Sequence, residues 1–125
     1  MGIVQRGTNK KGSGGVFRSA RTKRRFEKAN HPVLTKVTEK KLKSVRVPGG
    51  NRKLKLIACN VINVIDPKTK KAFKANIKMV VDNPANRNFV KRNIMTKGTV
   101  VETDKGKVRI TSRPGQEGSL NGVLV

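Results

Sequence analysis

The chain has 125 residues, with 30 Lys/Arg against 7 Asp/Glu and a formal net charge of +23. This is the length of one domain, and its charge opposes a compact state until a polyanion such as RNA or DNA neutralises it. One cysteine, Cys59, and one histidine, His31, exclude an internal disulfide, supply no Cys/His metal cluster and weaken any Cys–His or Ser–His catalytic reading.

Residues 1–55 carry 17 Lys/Arg against Glu27 and Glu39, whereas residues 56–125 carry 13 against five acids. The first 30 residues hold no Leu and few large apolar side chains, with a glycine cluster at Gly12–Gly15. Such composition cannot offset its own ordering entropy, so residues 1–30 are predicted to form a disordered basic tail. Arg6 stands where a myristoylation signal needs Ser or Thr. No apolar run is long enough for a signal peptide or a membrane span, so no membrane partner is expected.

From Val33 the chain turns rich in Val and Ile, which favour strands. Lys43–Val47 alternates with period two, Pro48–Asn51 is a turn, and a second alternating run extends from Lys53 through Ile57 to Ile65. Asp66–Lys70 is a turn, followed by a strand marked by Phe73, Ala75, Ile77 and Met79. Asn83–Arg92 is predicted as a short helix, with Asn83 as its cap and Pro84 at its first position. Thr99–Thr103 and Lys107–Thr111 flank a hairpin turn at Asp104-Lys105-Gly106, Arg113–Gly118 is a further turn, and Leu120–Val125 a last strand. The fold class is therefore mainly β: a small closed or partly open β-barrel of five to seven strands with one short helix and a disordered basic N-terminal tail. The body spans residues 31–125.

The candidate RNA-binding residues follow from charge and turn chemistry. In the tail they are Arg6, Lys10, Lys11, Arg18, Arg21, Lys23, Arg24 and Arg25. Arg grips phosphate with two parallel donors and Lys as a point charge. Phe17 and Phe26 either stack on unpaired bases or pack back onto the domain. In the body, Arg46 lies on a strand, and Gly49, Gly50, Asn51, Arg52 and Lys53 follow it through a glycine turn whose amides can cradle phosphate. Arg87 and Lys91 share a helix face with Arg92 beside them, and Arg113 sits on a rigid turn. These segments are expected to converge on one basic face. Cys59 reads as a small core residue within a strand. No acid–base pair, phosphate loop or dinucleotide loop is present, so neither catalysis nor a cofactor or metal is expected.

Taken in order, Lys11–Gly15, Lys23–Glu27, Pro32–Lys36, Val45–Val47 with Gly49–Asn51, Asp82–Arg87, Ile94 with Lys97-Gly98, and Thr111–Gly118 resemble the archaeal form of ribosomal protein S8e. The resemblance is colinear over nearly the whole chain. It departs at Lys28–His31 and at Pro48. It implies a structural constituent of the small ribosomal subunit, cytoplasmic and ribosome-bound, that contacts ribosomal RNA and neighbouring ribosomal proteins and is a monomer when free. The competing classes are a ribosome-assembly factor of related sequence, a DNA-compacting architectural protein, and an enzyme acting on RNA, which lacks an acid–base set.

Overall fold

The structure, a computed structural model, describes residues 9–18 and 20–125. Among the candidate contacts, Arg6 lies outside the described residues. The chain divides into two compact units, Met1–Pro32 and Val33–Val125.

In the first unit the described residues hold little regular structure. Lys10 and Val16 form an isolated antiparallel bridge around a tight turn, with Gly14 at φ +85. A single 3-10 turn covers Arg25–Glu27. The Glu27 carboxylate accepts from both terminal nitrogens of Arg21, at 2.6 and 3.2 Å, and from the Arg24 backbone N–H at 3.1 Å.

The second unit contains nine strands and one short helix: β1 (Thr35–Lys36), β2 (Lys41–Arg46), β3 (Arg52–Ala58), β4 (Val61–Ile65), β5 (Ala72–Asp82), α1 (Arg87–Lys91), β6 (Ile94–Met95), β7 (Val100–Thr103), β8 (Gly106–Ile110) and β9 (Asn121–Leu124). Five strands close a barrel in the order β4-β5-β7-β8-β9, and the other four form a sheet in the order β2-β3-β1-β6. The strand count exceeds the expected five to seven because two-residue strands such as β1 and β6 leave no alternation to read.

The barrel is a meander closed by a parallel pairing of β4 with β9, in which Val64 lies beside Gly122. Alternation puts Ile62 and Val64, Ala75 and Ile77, Val101, and Val108 and Ile110 inside, where they are buried with Leu120. Burying each large aliphatic side chain stabilises the fold by about 1.5–3 kcal/mol.

Three local expectations are corrected. The run from Lys53 to Ile65 is two strands, not one. It breaks at Cys59-Asn60, where the chain passes from the four-stranded sheet into the barrel. Cys59 is buried at that corner, its backbone N–H donating to Lys36 O at 3.1 Å. Continuous hydrophobicity disguises the corner, because both sides of it are core. Second, Met79 is 51% exposed and Val80 buried, the reverse of the expected alternation. A bulge between Ile77 and Met79 inserts one residue and turns the next side chains over. Third, the helix begins later than expected. Its cap is Asn86, whose side chain accepts from Asn88 N–H at 2.9 Å. Asn83 is instead buried: its amide donates to Ile94 O at 3.1 Å, and its oxygen accepts from Ala85 N–H and the Thr96 hydroxyl, both at 3.0 Å. Pro84 stands in the turn this network holds.

Candidate nucleic-acid interface

The β2–β3 hairpin is the most basic regular element of the body. Lys41, Lys43, Arg46, Arg52, Lys53 and Lys55 come within 15 residues that contain no acid. Antiparallel pairing sets which of them share a face. Leu42 opposes Leu56, Ser44 opposes Leu54 and Arg46 opposes Arg52, while Lys43 opposes Lys55 and Val45 opposes Lys53. Like charges directly across a ladder repel, and this hairpin has two such pairs, on opposite faces. Arg46, Arg52, Lys53 and Lys43 are exposed. An anion bound between the members of a pair converts the repulsion into attraction.

The connection at the tip is a 3-10 turn over Pro48–Gly50, with Val47 N–H donating to Asn51 O at 2.9 Å. Gly49 and Gly50 lie at φ +76 and +74. Two successive left-handed residues are cheap only for glycine, and a Cβ at Gly50 would meet nothing within 4 Å. The backbone here is open to close approach by a ligand.

The Arg113–Gly118 loop lies against the hairpin. Leu56 N–H donates to Pro114 O at 2.9 Å, and a Cβ on Gly118 would come within 3.2–3.4 Å of Leu54 and Leu42. The loop thus supports the apolar face of the hairpin at its base, and Arg46 and Arg52 extend the same face toward the tip. Arg113 is exposed and shares a shallow groove with Lys97, Thr96 and Val33.

Helix α1 is placed differently. It follows β5 and precedes β6, and β6 is the edge of the four-stranded sheet opposite to β2. Arg87 and Lys91 face a hollow lined also by Val81, Asp82, Asn88 and Val90, and Arg92 is the helix C-cap. The loop that carries Arg113 touches β3 through Pro114 while Arg113 itself lies beside Lys97, just past β6, and Arg87, Lys91 and Arg92 are carried by the helix that precedes β6.

In the first unit, Lys10, Lys11, Arg18, Lys23, Arg24 and Arg25 are exposed. Lys11 lies 6.0 Å from the Phe17 ring centre, and Arg21 is held by Glu27. Phe17 and Phe26 are 55% and 77% exposed, a position open to stacking.

Lys41, Lys43 and Lys55 were missed by sequence reading. Their signal was present: once Lys43–Val47 and Lys53–Leu56 are taken as the arms of one hairpin about Pro48–Asn51, register alone sets Lys43 against Lys55.

At the β4–β5 turn the Asp66 carboxylate accepts from the Thr69 hydroxyl at 2.8 Å and the Lys68 backbone N–H at 2.9 Å. The Thr69 hydrogen bond, then that of Lys68, hold its pKa below the ordinary aspartate value. A depressed folded-state pKa means that the turn gains stability above the unfolded pKa and loses it as pH falls through the folded one. Carboxyl-carbon NMR should place the Asp66 midpoint below that of a random-coil aspartate, and Thr69→Val should raise it.

Among the described residues no helix is long and apolar enough to cross a membrane, and no His/Cys/Asp/Glu group could hold a metal ion. Fold and surface together define a small, strongly basic β-barrel protein with a basic hairpin beside the barrel. Residues 4–125 match the ribosomal protein S8e family. Three archaeal proteins, each named small ribosomal subunit protein eS8, are similar along nearly their whole length. The one from Nanoarchaeum equitans is 50% identical over 113 residues, 90% of this chain and 89% of the relative. That from Methanococcus aeolicus is 44% identical over 126 residues, 100% and 98%, and that from Methanobrevibacter smithii 45% over 125 residues, 100% of both. The chain belongs to the ribosomal protein S8e family.

Proposed function

We propose that this protein is a structural constituent of the small ribosomal subunit that binds ribosomal RNA through its basic N-terminal segment, residues 1–30, and a basic face of the body, residues 31–125. The observation that carries the reading is the hairpin, where Arg46 faces Arg52 and Lys43 faces Lys55 with no acid between them. A free protein gains nothing from those pairings, whereas a phosphate backbone gives each pair a shared counter-charge. The barrel supplies a rigid base, the glycine tip allows close approach, and the N-terminal segment adds further cations, with Phe17 and Phe26 available to stack on splayed bases. Its partners are then small-subunit ribosomal RNA and neighbouring ribosomal proteins, and the free form is a monomer.

Binding to fragments of small-subunit ribosomal RNA tests this. Log affinity should fall with log salt at roughly 0.7–0.9 per phosphate neutralised. Removing residues 1–30 should make the slope shallower by several units on the same scale. An unchanged slope would remove that segment from the interface. Equal affinity for duplex DNA would favour a general architectural role instead.

A further inference from the structure

The barrel end where β5 begins carries a second group of cations that the hairpin does not account for. Lys68, Lys70 and Lys71 lie on the β4–β5 turn, Lys74 on the outer side of β5, and Lys105 on the β7–β8 turn. The β7–β8 turn is tied to β5: Asp104 N–H donates to Asn76 O at 3.2 Å, Asn76 N–H donates to the Asp104 carboxylate at 3.1 Å, and the Lys105 side chain reaches back along β5 to Phe73, near the β4–β5 turn. Phe73, packed on the barrel core, plugs the mouth, and the Lys105 ammonium lies 4.5 Å over its ring centre. That distance holds the charge in place by cation–π attraction.

The nearby acids are already engaged by hydrogen bonds, and the Lys68 charge also acts on Asp66. Asp66 accepts from Lys68 N–H and Thr69 within its own turn, and Asp104 is tied to the Asn76 backbone. Backbone bonds from Lys70 N–H to Asp66 O and from Asp66 N–H to Lys71 O fix the turn, with Lys70 held at φ +55. None of the five lysines is ion-paired with a described residue. Lys107 is left out of the group because it directly opposes Glu102.

The opposite end of the barrel leads into the hairpin sheet through Cys59-Asn60 and into α1 through Asn83. Strand β4 runs five residues between the Cys59-Asn60 corner and the β4–β5 turn, roughly 15 Å at about 3.3 Å per residue, and the basic side chains of the hairpin lie beyond that corner. Exposed charges that far apart act independently at physiological salt, where screening sets in beyond about 8 Å.

We propose that this lysine-rimmed mouth is a second binding site for the sugar–phosphate backbone of RNA, separate from the hairpin, so that the body joins two RNA segments. The inference rests on the RNA-binding reading above. The chemistry of the two ends differs. The hairpin and its loop present Arg46, Arg52 and Arg113, whose planar forks demand a set phosphate geometry. The mouth presents only ammonium groups, which accept phosphates in any orientation and so suit an RNA segment held by charge alone.

Lysine acylation of the full chain, read residue by residue by mass spectrometry, tests the proposal. The probes are a short RNA duplex in excess and, separately, poly-glutamate. The expected result is a severalfold loss of reactivity at Lys68, Lys70, Lys71, Lys74 and Lys105 with RNA, retained when Arg46 and Arg52 are both replaced by Ala. Replacing the five lysines with Gln should lower the salt slope by roughly 0.7 for each phosphate no longer neutralised and leave the melting temperature unchanged. If RNA shields Lys43, Lys53 and Lys55 but not the five, the mouth is no RNA site and the hairpin reading stands. If neither group is shielded, both fall together. Shielding of the five by poly-glutamate but not by RNA would make the mouth a dock for an acidic protein and overturn the proposal.

Discussion

Gly122→Val is expected to lower the stability of the body by about 3 kcal/mol, the upper end of the usual range for overpacking a core. Gly122 sits in β9, where that strand passes between β4 and β8 to close the barrel. A Cβ there would stand 2.5 Å from Val108 Cγ1, 2.9 Å from the Arg109 carbonyl oxygen and 3.0 Å from Ile62 Cδ1. The carbonyl belongs to the ladder and cannot turn away. Val108 and Ile62 are fully buried, so close packing leaves them no free volume to enter. For a domain of this size each kcal/mol moves Tm by about 4–8 °C, so a thermal melt should shift down by at least about 10 °C. Gly12→Ala is the control, since its Cβ would meet nothing within 4 Å. A Gly122→Val protein that melts like the wild type would mean that β9 does not close the barrel at this spacing.

Arg46→Ala and Arg52→Ala should weaken RNA binding by about 1.5–3 kcal/mol each, the worth of a charge-assisted hydrogen bond. The sign of their effect on folding separates this reading from a structural one. Each substitution relieves a directly opposed like-charge pair, so the free protein should melt at the same temperature or slightly higher. RNA affinity falls while stability holds or rises. Equilibrium titration beside a thermal melt of each variant reads both quantities. Lower stability with unchanged affinity would make the two arginines supports of the hairpin and not RNA ligands.

Much of the barrel was legible in the sequence, and for a physical reason. A strand with one face in a core must alternate, so β4, β7 and β8 declare themselves through Ile62 and Val64, Val101, and Val108 and Ile110. The turns at Asp66–Lys70 and Pro48–Asn51 were legible because their chemistry is local. What escaped was whatever depends on a distant partner. The corner at Cys59-Asn60 looks like uninterrupted strand because its apolar neighbours serve two sheets. The bulge before Met79 arises from pairing with β7, more than 20 residues on. Asn83 resembles a helix cap until Ile94 and Thr96 occupy its side chain. At the hairpin, Arg46, Arg52 and the glycine turn were found from composition and turn chemistry. Lys43 and Lys55 needed the cross-strand register, and the mouth lysines needed the topology that puts the β4–β5 and β7–β8 turns at the same end of the barrel.

The parallel seam between β4 and β9 also bears on how the body is made. Asn63 and Asn121, hydrogen-bonded across it, are 58 positions apart. Every other pairing in the barrel joins barrel strands that follow one another along the chain, so each can form as soon as the later strand leaves the translating ribosome. The seam must wait for β9. Until then β4 and β8 are open edges, able to pair with another extended chain. Distant pairings of this kind also slow folding, because loop closure costs entropy before any contact repays it. The nascent protein therefore has its basic hairpin complete while its barrel is still unsealed.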